Sequence, residues 1–205
     1  MSSRFGGTLL LALCAGGYCQ VNQPSWLTDP AAFCTELTHR ANSKASEVPL
    51  GVPKATRFED YAVHPVAPQR ATEALIGKYD WTDKASFGRE VKVEAAKGPD
   101  FAGRYAIVEW SCGSWCTNSV IADVVSGKMY DPPFVGVVGC SAITGDQPTL
   151  QRRADSSLLI VRGMLEMSFD HYLSEGPCGS FYFRWNGSHL RLIGCDIPKD
   201  GQTLR

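Results

Sequence analysis

The stretch Tyr105-Ala-Ile-Val-Glu-Trp-Ser-Cys-Gly-Ser-Trp-Cys116, continued by Thr117-Asn-Ser-Val-Ile-Ala-Asp-Val-Val125, decides the fold. Two apolar runs rich in β-branched residues flank Cys112 and Cys116. In an extended chain those sulfurs would stand roughly 13 Å apart, beyond disulfide reach. Pairing them requires the chain to reverse between them, and Gly113 supplies the backbone freedom. The segment therefore reads as two buried strands joined at a stapled corner.

Working outward, the pattern from residue 100 onward is β. Strands are expected over Arg104–Trp110 and Asn118–Val124, then at Lys128–Tyr130 after the Ser126-Gly127 turn. Further strands are expected at Phe134–Cys140, Ser157–Gly163 and Ser180–Trp185. Asn186-Gly187 has the composition of a tight hairpin turn leading into His189–Ile193. A weak internal echo places Cys-Gly-Ser at 112–114 and again at 178–180, each beside a strand–turn–strand unit. This echo suggests two similar antiparallel sheets, as in a sandwich or a pair of propeller-like blades.

Upstream, Asp29-Pro30 pairs a helix N-cap with a first-turn proline, and Phe33, Leu37 and Ala41 fall on one helical face. Cys34 lies beside that stripe, where a disulfide could pin the helix to the body. Ser43–Pro68 reads as an ordered loop with an edge strand at Arg57–Val63. Thr82–Gly98 reads as a second helix, on the repeat Phe87, Val91, Ala95 and the stop pair Gly98-Pro99. The expected fold is thus α+β. One or two short N-terminal helices pack on a mainly antiparallel β-body, with a leader over 1–19, a helix and loop region over 20–98, and the β-rich body over 99–205.

The first residues read as an export signal: Arg4, then an apolar core from Thr8 to Ala15, then small Ala15 and Gly17. Cleavage is expected after Gly17 or after Cys19. A lipid anchor on Cys14 is the weaker alternative, because bulky Leu13 precedes it. Of eight cysteines, cleavage after Cys19 leaves six, an even number suited to an oxidising compartment. Cys112–Cys116 and Cys178–Cys195 are the expected pairs, with Cys34–Cys140 left by elimination. The location implied is periplasmic or secreted.

Composition narrows the function. A formal net charge of −1 leaves no basic surplus for nucleic acid, and no apolar run reaches the length of a membrane span. No cofactor or metal is expected: there is one close cysteine pair, and His39, His64, His171 and His189 are dispersed. Asp196-Ile-Pro-Lys-Asp200-Gly201 lacks the ligand density of a calcium loop. Asp170-His171 lies near Cys178 in sequence, yet Gly-x-Ser-x-Gly is absent and nothing orders a hydrolytic triad. Redox chemistry at Cys112/Cys116 would want a nearby cation or helix N-terminus, and neither is adjacent. No catalytic residue is assigned. Trp110 and Trp115, with Arg104, form the candidate binding surface. Trp115 should be pushed outward by the corner, to meet an envelope protein or a cell-wall glycan.

The run Gly98-Pro-Asp-Phe-Ala-Gly-Arg-Tyr105, then Trp110-Ser-Cys-Gly-Ser-Trp-Cys116, then Ser126-Gly-Lys-Met-Tyr130 resembles a family of small exported bacterial proteins. That family carries G-P-N-F-A-G-H-Y, W-G-C-G-x-x-C and T-G-K-V-Y. The resemblance implies export and brings no biochemical activity with it. Asp100, Arg104 and Ser111 depart from the pattern. If the family histidine exchanges protons, Arg104 cannot do so near neutral pH.

Overall fold

The computed structural model describes residues 13–15, 18–20, 29–42, 51–66, 93–94, 97–140, 147–169 and 172–198. The helix expected at Asp29-Pro30 forms as α1, Pro30–Ala41. The Asp29 carboxylate accepts the Ala31 N–H at 2.9 Å, filling one of the orphan donors at a helix start. Phe33, Cys34, Leu37, Thr38 and Ala41 are buried on one face. His39 and Arg40 occupy the last turn, where cations complement the helix dipole. Only Val93 and Glu94, both helical, are described centrally in the expected Thr82–Gly98 helix; most of that span lies outside the described residues.

Two short strands, β1 (Leu13–Ala15) and β2 (Tyr18–Gln20), pair antiparallel in a sheet of their own, with Cys14 and Cys19 as Cα partners. The first lies within the expected leader, and the second runs one residue past its expected end at residue 19. The main sheet contains β3 (Tyr105–Gly113), β4 (Cys116–Asp123), β5 (Met129–Tyr130), β6 (Gly136–Val138), β7 (Thr149–Gln151), β8 (Leu158–Phe169), β9 (Tyr172–Trp185) and β10 (Leu190–Asp196). Every pairing is antiparallel. The order is β10-β9-β8-β6-β4-β3, with β5 beside β4 and β7 beside β8. Strands β8 and β9 run well past the expected limits.

This sheet is folded over on itself. Strands β3 and β9 lie four strand steps apart, about 19 Å in a flat sheet. Yet the Tyr105 ring on β3 stacks edge-on against Trp185 on β9 with centroids 5.0 Å apart. The fold-over is sealed at one end by backbone bonds, Ala102 N–H to Ser156 and Gly103 N–H to Ala154. Inward positions follow the strand period: Leu159, Val161, Leu165 and Met167 on β8, Phe181, Phe183 and Trp185 on β9. Helix α1 closes the same core through Phe33, whose ring lies 5.9 Å from Phe181. A side chain at Gly176 would collide with that ring, so the strand stays bare where the helix docks.

Four expectations change. The sandwich-or-blades reading resolves into one sheet with two layers, and the echo has no structural counterpart. Cys112-Gly-Ser114 forms a hairpin tip, whereas Cys178-Gly-Ser180 runs mid-strand in β9. The edge strand expected at Arg57–Val63 is a 3-10 turn over Phe58–Tyr61, with a single bridge from Ala62 to Ser156. The Arg57–Asp60 pair at 3.1 Å suits a helical turn and has no place along a strand. The last hairpin closes through four residues, since Trp185 pairs with Leu190. There the Asn186 side-chain oxygen Oδ1 accepts the N–H groups of Ser188 and His189, both at 3.0 Å.

The fourth change concerns disulfide partners. Cys112–Cys116 forms as expected, but the other bridges are Cys34–Cys195 and Cys140–Cys178. The register explains why. Cys195 sits opposite Phe181, three residues or about 10 Å along β9 from Cys178, and an odd offset turns the two side chains to opposite faces. A bulge between Leu192 and Gly194 keeps Leu190, Leu192 and Cys195 all facing inward, toward α1. Cys34 on the helix is therefore the partner within reach, with Cα atoms 6.6 Å apart.

Candidate functional site

The two ends of the β3–β4 hairpin hold all the residues read as a binding surface. At the near end, Phe101 and Tyr105 exchange backbone hydrogen bonds of 2.9 Å around a tight turn. Ala102 and Gly103 adopt positive φ there, 44° and 84°. A side chain on Gly103 would meet the His64 carbonyl at 2.8 Å, so only glycine fits. Phe101 is fully buried beneath Trp185. Asp100 accepts the Ile107 N–H at 2.9 Å and Arg152 Nε at 2.6 Å, while Arg152 also donates to the Ile107 carbonyl and to Glu109. These side chains occupy the edge of β3 where another strand would otherwise pair.

Arg104 belongs to this end. Its guanidinium grips Asp123 with both nitrogens of its fork, one at 3.0 Å. Asp123 also accepts the Val125 N–H at 2.9 Å and the Ser126 hydroxyl at 2.7 Å, building the β4–β5 turn. Burial pushes the Asp123 carboxyl up, but Arg104 and the turn donors outweigh it and hold the group below the usual carboxylate range. The Arg104 side chain is 40% exposed, yet its fork is committed to scaffold.

At the far end the sulfur-closed corner is a two-residue turn over Ser114 and Trp115, with Gly113 and Cys116 as the last pair. Residues 111–114 are exposed, whereas Trp115 is half-buried and so less outward than expected. It takes φ of 64°, a left-handed conformation that a bulky side chain rarely adopts, and its carbonyl accepts the Gly139 N–H at 2.7 Å.

Beside Trp110 the sheet opens into a groove. Strand β4 pairs with β6 through Asn118 and with β5 from Ile121, so Ser119 and Val120 have no strand on that side. The connecting loop Asp131-Pro-Pro-Phe-Val135 stands away from this gap because its prolines lack the N–H that pairing needs. The cavity left is about 500 Å³, lined by Trp110, Asn118, Ser119, Arg40 and the loop. A second basin of about 320 Å³ shares Arg40 and Asp131–Pro133 and extends to His189. The loop is pinned at its far end: Phe134 is buried 5.7 Å from Phe183, and the Val135 N–H reaches the Glu166 carbonyl at 2.8 Å.

Polar groups in this groove are under-satisfied. Ser119 is 7% exposed, and no described residue hydrogen-bonds its hydroxyl. The Asn118 Oδ1 is buried without a donor. It lies over Gly136, its cross-strand partner, where a Cβ would stand 2.7 Å from Asn118 Oδ1 and 3.0 Å from Glu166 Oε2. Sequence reading found Trp110 but missed Arg40, Asn118, Ser119 and Asp131–Val135. The available signal was the Pro132-Pro133 pair between two short apolar runs, which marks chain that cannot complete a sheet.

Among the described residues no three His, Cys, Asp or Glu side chains converge to hold a metal ion. Asp170 and His171 lie outside the described residues. No described helix is long and apolar enough to cross a membrane. The chain matches no family model, no curated protein and no solved structure.

Proposed function

We propose that this chain is an exported, disulfide-stabilised binding module of the bacterial cell envelope, non-catalytic, which takes its partner into the groove beside Trp110. The observation that carries the reading is the contrast in polar satisfaction. The surrounding scaffold pairs its ionic groups, while Ser119, whose hydroxyl bonds no described residue, and Asn118, whose Oδ1 is buried without a partner, both line a pinned cavity beside an aromatic ring. Three bridges suit an oxidising compartment, which supports export. Kinship with the small exported family is part of the proposal and rests on Gly98–Tyr105, Trp110–Cys116 and Ser126–Tyr130.

The test is retention of the oxidised protein on an envelope preparation from its native host. Wild type should bind saturably, and Trp110→Ala should lose most of that binding while still melting cooperatively. Equal retention of both proteins would refute the groove as the site. A second reading, thiol–disulfide exchange, draws on the exposure of Cys112 at the hairpin tip. Rapid exchange of Cys112–Cys116 with glutathione at ordinary potentials would favour it, and a resistant bridge would favour the scaffold role.

A further inference from the structure

We infer that the ligand of this groove is an uncharged glycan carrying hydroxyl and acetamido groups, an assignment that rests on the binding reading above. The shape of the gap argues first. Strand addition by a peptide needs a run of free backbone groups along a sheet edge. Here only Ser119 and Val120 are unpaired on that side of β4, between the Asn118–Gly136 and Ile121–Tyr130 pairs. Two residues cannot template an added strand, so the groove must be read through side chains.

Those side chains suit a sugar. Trp110 offers an aromatic wall, and Pro132 and Pro133 face it as rigid apolar surface. Such surfaces take up the C–H faces of a pyranose ring. Hydroxyl and amide groups on the ring edge then need single, separated hydrogen-bonding partners. Ser119, a residue more than nine-tenths buried, lines the cavity and supplies a donor–acceptor hydroxyl with no hydrogen-bond partner among the described residues. Asn118 supplies an amide. Asn118 lines the cavity, and its Oδ1 is buried without a partner over Gly136. An amide side chain carries both a donor and an acceptor, the same complementary pair that an acetamido group presents in return.

Charge narrows the ligand further. Arg40 and Asp131 line both basins and contribute one charge of each sign, and Arg40 is already paired with Glu36 at 3.5 Å. Neither a phosphate nor a strongly basic segment would find a complementary field here. The second basin, which shares Arg40 and Asp131–Pro133 with the first, adds adjoining space for a ligand longer than one ring. Because Phe134 and Val135 hold the loop in place, the cavity is formed before the ligand arrives, which lowers the ordering cost of binding.

The experiment titrates the oxidised protein calorimetrically with three probes: a β-1,4-linked tetramer of N-acetylglucosamine, the unsubstituted glucose tetramer, and a blocked neutral tetrapeptide. Saturable binding of the acetamido tetramer, tighter than that of the glucose tetramer, is expected, with no peptide binding. Trp110→Ala should weaken it about tenfold. Because Trp110 also packs against neighbouring apolar residues, Ser119→Ala is the second variant; it should weaken binding several-fold with an unchanged melting curve. Absence of saturable glycan binding, preference for the peptide, or indifference to both variants would overturn the assignment. If envelope retention still depends on Trp110 while the tetramers fail, the glycan falls and the binding module stands. If retention is also indifferent to Trp110, both fall.

Discussion

The two ends of the β3–β4 hairpin share strands, register and core, yet they are built oppositely. At the Tyr105–Asp123 end the ionised groups are tied: Arg104 to Asp123, and Arg152 to Asp100 and Glu109. At the Trp110–Asn118 end, the Asn118 Oδ1 is buried without a partner, and the hydroxyl of Ser119, a residue 7% exposed, bonds none of the described residues. Buried polar groups without partners cost free energy, and the Trp185 Nε1 beside Tyr105 is one as well, so what sets the ends apart is that the first ties its ions while the second leaves a hydroxyl and an amide oxygen untied beside a cavity. The difference teaches where to look for function when neither a motif nor a relative names it.

The comparison can be broken from its strong side first. Asp123→Ala removes the partner of Arg104 together with the acceptor that builds the β4–β5 turn. It should cost about 3 kcal/mol by urea denaturation. A loss no larger than that of a surface substitution would mean the saturated end is not saturated for stability.

Acid probes the same carboxylate. Its folded pKa lies below the unfolded value, so the stabilisation is complete above the unfolded pKa and disappears as pH falls through the folded one. The wild-type melting temperature should therefore drop below about pH 4, and the gap between wild type and Asp123→Asn should close over that same range. A gap that stays constant down to pH 2 would remove Asp123 from the account.

Gly103→Ala tests the turn beneath that pair. Positive φ and the His64 carbonyl both resist a side chain, and a loss of about 2 kcal/mol is expected by chemical denaturation. At the open end, opening the corner with Cys112→Ser and Cys116→Ser removes only a short covalent loop. That should cost about 2 kcal/mol or less and leave the rest of the sheet intact by amide exchange. The smallest effect is expected for Ser119→Ala, which deletes no hydrogen bond and should shift stability by less than about 0.5 kcal/mol. A loss above 1 kcal/mol there would show that the hydroxyl serves the fold.

Local signals were legible. Asp29-Pro30 announced α1, and the apolar runs around Cys112 and Cys116 announced β3 and β4, because caps and strand periods act over a few residues. The curl of the sheet was not, since Tyr105 meets Trp185 only through the fold-over. Cysteine partnership failed for a related reason. A single bulge near Ile193 resets which side of β10 faces the helix, and no residue type in that stretch declares it. The groove was half legible. Trp110 stood out as an aromatic near a strand end, whereas Ser119 and Asn118 owe their significance to the strand that does not pair beside them.

The bridge between Cys34 and Cys195 spans 161 positions, joining the first long element to the final strand. In the oxidised state the chain from Cys34 to Cys195 is consequently a covalent ring. A protease that nicks any one surface loop inside it yields no free fragment until a reductant is added.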